Sequence, residues 1–315
     1  MAQLTDEDLA NIAHDFYLSK LNIGDISKKY HISRYLITKA LENAEKRKIV
    51  KITISKGLQR REDLERYFQE KFNLKDAIVL NNLETTNQDN EAIVSYAAKQ
   101  IQTYIQSSKV IGTTWGTLLR DIIDNFNEVK QPDLTFVQLL GQPINSDQRK
   151  NSLVQLAAKK YGADSFSLPA PLYVLNSHLL DEIKKEPFYQ TLDNYYKNLD
   201  LIFSSIGTFD SFITSNYMRE NYKQSLFKNV NTKEIAGMIY GHPYDINGNF
   251  FDDLNKNICG ISLEEIQNVP VRFTIVKNRF KTKALLGALR SGIITHLIIN
   301  EGIAKRIISE INQEF

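Results

Sequence analysis

The sequence predicts an α/β body with a mainly parallel sheet, preceded by an N-terminal all-α domain of the winged helix-turn-helix class. In the body, short apolar runs alternate with amphipathic stretches, which is typical of a parallel α/β domain. The first sixty residues instead carry three consecutive helical patterns. A turn rich in glycine and threonine follows one apolar run of the body. We therefore predict one domain over residues 1–56 and a second over residues 57–315.

Composition indicates a globular protein of ordinary type. Its 42% hydrophobic and 24% charged residues suit packed domains, and the apolar runs are too short to span a membrane. The start, MAQLTDEDL, is unlike a signal peptide. The single cysteine, Cys259, excludes an internal disulfide and is interpreted as a small buried apolar side chain. The five histidines show no metal-ligand spacing. We expect a cytoplasmic protein without metal or cofactor.

The net charge of +2 hides a strong asymmetry along the chain. Residues 19–61 contain twelve Lys or Arg and three Asp or Glu, about +9, which leaves the remainder near −7. A basic segment beside an acidic body is typical of a small nucleic-acid-binding module attached to a larger regulatory domain. A basic solvated surface helix is the alternative interpretation of the charge alone.

Local signals in the N-terminal segment predict three helices. Thr5 is placed to cap the first, the second covers Ile23–Tyr30, and Ser33 caps the third, which runs to about Lys46. His31 and Ile32 form the turn between the second and third helices. The alternating run from Ile49 to Ile54 predicts a strand of a small wing. Two helices joined by a tight turn form the helix-turn-helix layout.

In that layout the first turns of the third helix enter the major groove of DNA. The exposed positions there are Ser33, Arg34, Tyr35, Thr38 and Lys39. Arg34 is the best candidate for a base edge, because a guanidinium can grip guanine at two atoms. Phosphate contacts are expected from Lys28, Lys29, Lys46, Arg47 and Lys48. The alternative is an ordinary three-helix bundle with polar faces.

The body begins after a polar, glycine-containing linker over residues 55–61. A helix over Glu62–Lys71 carries an apolar stripe that could pair subunits, although it is too short for a coiled coil. Strands are predicted at Ala77–Leu80, Lys109–Thr113, Thr135–Leu140, Ser165–Leu168, Leu201–Ile206, Ile235–Tyr240, Arg272–Val276 and His296–Ile299. Helices are predicted at Glu91–Ile105, Leu118–Phe126, Ser152–Tyr161, His178–Leu199, Lys281–Leu289 and Gly302–Ile311.

The stretch KVIGTTWGTLL, Lys109–Leu119, is the most informative part of the body. An apolar run, a turn of small residues and an apolar-periodic stretch predict a strand, a tight loop and a helix. Threonine hydroxyls beside the free N–H groups of a helix start favour an anion, which the helix dipole also stabilises. Ligands of parallel sheets bind at the carboxyl ends of the strands, where this loop falls. A simple turn with threonine caps is the alternative.

Several stretches together resemble one family over nearly the whole chain. IGDISKKYHISRYLITKALENAEKRKIVKITI resembles the DNA-binding end of the SorC/DeoR-type bacterial sugar-responsive transcription regulators. TFVQLLGQ, SLPAPLYV, LIFSSIGT and GMIYGHPYDINGN are similar to the effector-binding domain of that family, which has a phosphosugar isomerase-like fold. KTKALLGALRSGIITHLIINEGIAKRI resembles its closing helix, strand and helix. No piece is specific alone, but the ordered set is.

The resemblance implies a set of effector-binding residues. It makes Gly112, Thr113, Thr114, Gly116 and Thr117 a phosphate cradle. It places Gln138 and Gly141 in the pocket, lined by Pro169–Pro171 and Gly207, and aims Lys281 at the ligand as a counter-charge. A solvated lysine at a helix start is the alternative for Lys281.

The chain also departs from the family pattern. Leu140-Gly141-Gln142 stands where members often have Lys-Gly-Gly, and Leu140 cannot form an imine or pair with phosphate. Met238 and Asn300 replace acidic residues, and Val276-Lys277-Asn278 replaces Ala-Gly-Gly. Lys277 and Arg279 add positive charge near the same place. The identity of the effector therefore cannot be copied from relatives.

Two classes of function remain after these observations. The first is a regulator of a carbohydrate or nucleoside operon that binds double-stranded operator DNA as a dimer or tetramer and responds to a phosphorylated sugar. The second is a sugar-phosphate isomerase or deaminase with an added N-terminal domain, which needs a general base. His242 and Asp245 are the remaining candidate bases, although shaping a loop is the simpler role for both. We therefore expect no catalytic residues.

Overall fold

The computed structural model describes residues 4–47, 49–50, 59–142 and 152–313. The chain divides into two compact units, Met1–Gly57 and Leu58–Phe315. None of the helices in these ranges is both long enough and apolar enough to cross a membrane.

The N-terminal unit contains α1 (Asp6–Tyr17), α2 (Ile23–Tyr30) and α3 (Arg34–Lys46), as the local signals predicted. Thr5, Asn22 and Ser33 cap the three helices with their side-chain oxygens. His31 adopts a left-handed conformation with φ 54° and ends α2, which forms the expected turn. The unit has its own apolar core, formed by Leu9, Ile12, Ala13, Ile26, Ile37, Ala40, Leu41 and Ala44. Ile49 and Val50 form a bend, and the rest of the predicted wing strand lies outside the described residues.

The body is built on a parallel sheet. Its strands are β1 (Asp76–Leu80), β2 (Val110–Thr113), β3 (Thr135–Gln138), β4 (Asp164–Phe166), β5 (Leu201–Ser204), β6 (Gly237–Ile239), β7 (His242–Tyr244), β8 (Val271–Ile275) and β9 (His296–Asn300). Seven of the strands in the described residues form the main sheet, in the order β1-β9-β8-β5-β2-β3-β4, and all its pairings are parallel. Apart from the edge strand β4, near-continuous apolar burial of these strands explains why the sequence predicted them.

Helices cover both faces of the sheet. They are α4 (Glu62–Phe72), α5 (Thr86–Ile105), α6 (Thr117–Asp124), α7 (Leu153–Tyr161), α8 (Ser177–Ile183), α9 (Pro187–Lys197), α10 (Phe209–Ile213), α11 (Asn216–Asn221), α12 (Lys223–Leu226), α13 (Leu263–Asn268), α14 (Thr282–Arg290) and α15 (Glu301–Asn312). One apolar cluster joins α5, α6 and α7 to the sheet, and a second joins α4, α9, α14 and α15 to its other face. The predicted fold class, a helical N-terminal unit followed along the chain by an α/β body, is confirmed.

Three predictions for the body are corrected. The single helix predicted over His178–Leu199 is two helices, because Pro187 cannot continue α8 and instead starts α9. The strand predicted at Ile235–Tyr240 is β6, which pairs antiparallel with β7 and lies outside the main sheet. The apolar stripe of α4 packs inside the body, where Leu64 and Phe68 are buried, and so is not free to pair subunits.

Cys259 is buried in the main core, as predicted for a small apolar side chain. Burial raises the pKa of its thiol to about 11, since the thiolate would lose its hydration. The thiol is therefore protonated and unreactive at neutral pH.

We predict that His296 lowers the free energy of unfolding of the body as the pH falls below neutrality. It is buried at the start of β9 against the rings of Tyr104 and Phe273, and burial, with Lys75 and Arg272, lowers its pKa to about 4. Between pH 6.5 and pH 4 the unfolded chain binds a proton that the folded chain does not, so stability falls as pH falls, by about 3 kcal/mol at pH 4.

We expect His296→Gln to flatten the stability profile in this window, measured as the urea midpoint against pH. His178→Gln is the matched control, because His178 is exposed and should leave the profile unchanged. The buried His242, whose pKa is lowered by burial, accounts for part of the slope that remains. An unchanged slope in His296→Gln would contradict the assignment.

Candidate functional site

The carboxyl ends of β2 and β5 form the natural ligand crevice of this sheet. The two strands are neighbours, but β2 leads on to β3 and β4 on one side, whereas β5 leads to β8 and β9 on the other. Helices that follow such a pair of strands diverge to opposite faces and leave a crevice between them. The loop that the sequence singled out follows β2 and so lies at this point.

The loop places an open helix start at the crevice. Gly116 has φ 152° and ψ 153°, a conformation that favours glycine, and it precedes α6 directly. No side chain caps α6. The first N–H groups of a helix have no partner within it, so they are available to an anion here. The predicted order of strand, tight loop and helix is confirmed.

The three threonine hydroxyls of the predicted cradle have different surroundings. Thr113 is fully buried, and its hydroxyl donates to the carbonyl of Phe203 at 2.9 Å, so it points into the sheet rather than into the loop. Thr114 is 9% exposed and Thr117 is exposed. Neither makes a side-chain hydrogen bond within the described ranges. Two of the three hydroxyls are therefore free for a ligand.

The other cradle glycine, Gly112, has a packing role. It lies inside β2, and a Cβ there would come within 2.6 Å of the side chain of Leu139. Gly141 is similar, because a Cβ would meet the carbonyl oxygen of Pro171 at 2.2 Å. Both glycines permit close backbone packing beside the crevice.

Gln138 lies at the end of β3 with its amide engaged inside the protein. Its Nε2 donates to the carbonyl of Leu140 at 2.5 Å, and its Oε1 accepts from Gln142 and Ser152 at 3.3 and 3.5 Å. The indole of Trp115 donates to the carbonyl of Gly141 at 3.1 Å. This hydrogen bond ties residues 114–116, here called the anion loop after its predicted ligand, to the segment that follows β3. Gln138 therefore supports the neighbouring loop in this structure.

The ammonium of Lys281 lies beside the carboxyl end of β5. The side chain of Lys281 is half-buried, and its ammonium donates to the carbonyl of Ile206, just after β5, at 2.5 Å. Burial and the nearby Lys277 both lower the pKa of Lys281, since each disfavours its charged form. Lys281 is thus not the solvated surface lysine of the alternative interpretation.

Two further residues join the site. Lys277, after β8, lies 3.1 Å from Asp121 on α6, measured from Nζ to Oδ2. Sequence reasoning noted the charge of Lys277 but did not assign Asp121. The available signal was the four-residue spacing from Thr117 to Asp121, which puts both on one face of α6.

In the N-terminal unit, all seven predicted DNA-binding residues are exposed. Ser33 caps α3 and Thr38 bonds to the carbonyl of Arg34. Lys29 pairs with the buried Asp15 at 2.7 Å, and Lys39 pairs with Glu42 at 2.7 Å. These four residues have local structural partners.

Lys28, Arg34 and Tyr35 form no side-chain hydrogen bond or ion pair within the described ranges. Tyr35 is 69% exposed. Arg34 and Tyr35 line a groove of about 610 Å³ together with Phe16, Asn22, Ile23, Gly24 and Thr38. The exposed face at the start of α3 is therefore centred on Arg34 and Tyr35.

Comparison with known proteins identifies the family. A family model for a sugar-binding domain matches residues 57–309, most of the chain. The chain belongs to the SorC/DeoR-type family of transcriptional regulators. The sorbitol operon regulator of Klebsiella pneumoniae is 23% identical over 306 residues, covering 95% of this chain and 97% of that protein. The deoxyribonucleoside regulator of Bacillus subtilis is 20% identical over 300 residues, covering 94% and 95%.

The fold agrees with this assignment. The crystal structure of the full-length sorbitol operon regulator SorC from Klebsiella pneumoniae superposes with a TM-score of 0.70, covering 96% of this chain and 99% of that chain at 23% identity. The SorC-type resemblance drawn from the sequence motifs is therefore confirmed.

The residues that depart from the SorC/DeoR pattern have defined packing or hydrogen-bond partners in the body. Leu140 is buried in the core, and Met238 pairs through its backbone with Gly207, with N–O distances of 2.8 and 3.0 Å. Asn300 donates to the buried carboxylate of Asp89 at 3.1 Å. A carboxylate at position 300 would face that of Asp89, so the amide fits this chain.

Proposed function

We propose that the protein is a DNA-binding transcriptional regulator of a carbohydrate or nucleoside operon, controlled by a phosphorylated sugar bound in the body. One observation carries the proposal: a single chain combines a helix-turn-helix, whose Arg34 and Tyr35 are exposed, with an uncapped helix start at the switch point of a sugar-binding domain. DNA recognition and anion recognition thus occupy separate units of the chain.

Phosphate is the ligand chemistry that the crevice favours. The first N–H groups of α6, the free hydroxyl of Thr114 and the ammonium of Lys281 are all donors. A phosphoryl oxygen accepts hydrogen bonds without offering any, so it matches such a set. The sugar would then extend toward the ends of β3 and β5, where Gln138 and Gly207 lie.

Regulation follows from linkage between the two sites. A phosphosugar that binds one conformation of the body more tightly shifts the population toward it, and DNA affinity changes by the same coupling. We propose a homodimer or homotetramer acting in the cytoplasm, because helix-turn-helix units usually read paired half-sites.

An enzymatic role draws no support from the candidate bases. His242 is buried, and its Nδ1 lies 2.8 Å from Asn255 Oδ1. Asp245 accepts from the backbone N–H groups of Asn247 and Asn249 at 2.9 Å and shapes their turn. The matched relatives are named as regulators.

We expect the effector to raise the melting temperature of the body. A ligand that binds only the folded state adds about 2.7 kcal/mol at one hundred times its Kd. The measurement is a thermal shift against phosphorylated pentoses and hexoses, followed by the fluorescence of Trp115, the single tryptophan, which lies in the anion loop. The unphosphorylated sugars are matched controls. A complete panel without a shift would refute the phosphosugar assignment.

A further inference from the structure

Lys277, which follows β8, pairs with a carboxylate of α6. Its side chain is 19% exposed, and its Nζ lies 3.1 Å from Asp121 Oδ2. Asp121 lies one helical turn beyond Thr117, the first residue of α6, about 6 Å along the axis. Because residues four apart share a helix face, the ammonium of Lys277 lies beside the first turn of α6.

Unpartnered hydroxyls lie at the same edge of the sheet. Ser205 directly follows β5, and its Oγ is fully buried without a hydrogen-bond partner in the described residues. Alternation along the strand places Ser205 on the same face as Phe203, which packs in the cluster of α5, α6 and α7. Thr114, also without a partner, follows the adjacent strand β2. Buried hydroxyls normally have a partner, so a ligand oxygen is a natural one here.

The two lysines of this crevice, Lys277 and Lys281, have different partners. Burial, and then the nearby Lys277, lower the pKa of Lys281, so the two ammonium groups lie in the same neighbourhood. Lys277 forms an ion pair with Asp121, whereas the ammonium of Lys281 donates a hydrogen bond to the uncharged carbonyl of Ile206. A ligand with two negative charges would satisfy both ammonium groups.

Resting on the function proposed above, we infer that Asp121 competes with the effector phosphate for Lys277. The phosphoryl group binds Lys277, Lys281 and the start of α6, and displaces the carboxylate of Asp121 from Lys277. Asp121 is 47% exposed, so its carboxylate can turn into water. Lys277 is mostly buried and needs a replacement anion.

This competition sets the effector concentration at which the regulator responds. Asp121 is therefore a residue that tunes affinity, and Lys277 is a direct phosphate ligand. The ligand class is a sugar carrying a phosphate dianion.

The test uses the full-length protein with inorganic phosphate as the probe, followed by Trp115 fluorescence and thermal shift. Removing the competing charge in Asp121→Asn should tighten phosphate binding about fivefold, the size of a partly exposed ion pair. Asp121→Ser, which lacks a carboxamide that could hold Lys277, should do at least as much. Lys277→Met should weaken binding about tenfold or more.

Asp124→Asn is the matched control, since Asp124 is exposed on the same helix and should leave phosphate affinity unchanged. If wild-type protein binds phosphate and both Asp121 variants bind it equally or more weakly, the inference fails while the proposed function stands. Unchanged affinity in Lys277→Met also overturns it. If neither wild type nor any variant responds to phosphate or phosphosugars, both proposals fail.

Discussion

Replacing Arg272 by methionine should cost the body about 4 kcal/mol of stability. Arg272 lies on β8 with 8% of its surface exposed. Its guanidinium donates to four carbonyl oxygens, at 2.6 to 3.3 Å, which belong to Gln267, Val269, Gly292 and Ile293. These carbonyls come from the segment before β8 and from the loop between α14 and β9.

Methionine fills a similar volume but leaves all four carbonyls without that donor, and each unsatisfied buried group costs about 1–3 kcal/mol. The measurement is urea unfolding followed by Trp115 fluorescence, which reports on the body and not on the N-terminal unit. Arg306→Met is the matched control, because Arg306 is exposed on α15 and its loss should change stability by less than about 0.5 kcal/mol. A loss below about 1 kcal/mol in Arg272→Met would show that the four carbonyls find other partners.

Arg34→Ala should reduce operator affinity about a thousandfold. A bidentate arginine–guanine contact is worth about 2 kcal/mol, and a dimer on two half-sites loses it twice. Arg34 is exposed at the first position of α3. Its guanidinium lies beside Gly24, at 3.2 Å from where a Cβ would stand, so a small residue at position 24 leaves room for it.

Fluorescence anisotropy with the native upstream region measures the effect, and a non-specific duplex of equal length separates base recognition from charge. Lys28→Ala, an exposed phosphate-contact candidate, should weaken binding to both duplexes alike. Undiminished operator binding by Arg34→Ala would argue against α3 as the recognition helix.

The sequence predicted helices and strands correctly where local signals, such as helix caps and apolar runs, determine them. The predicted caps at Thr5 and Ser33 begin the first and third helices, and buried parallel strands appear as apolar runs. The short helices between residues 209 and 226 were missed, because they are too short to show a helical period. Strand β6 is buried throughout, like β5 and β9 of the main sheet, so only its tertiary pairing distinguishes it from them.

Within the candidate site, the sequence located the loop after β2 but did not predict the hydrogen-bond partner of each side chain. Thr113 and Thr114 are identical residues in adjacent positions, yet one bonds inside the sheet and the other is free. Their difference comes from β5, which the sequence cannot position beside β2. For the same reason Asp121 and Lys277, 156 residues apart, could not be paired from the sequence.

The pairing of β1 with β9 also affects the order in which the two units can fold during translation. Asp76 lies opposite His296, so the first strand of the body cannot pair until the last described strand, β9, has been synthesised. The N-terminal unit, with its own apolar core, needs no such partner. During translation, the N-terminal unit can therefore fold long before the sheet of the body is finished. A chain that stops before β9 leaves β1 without its partner strand.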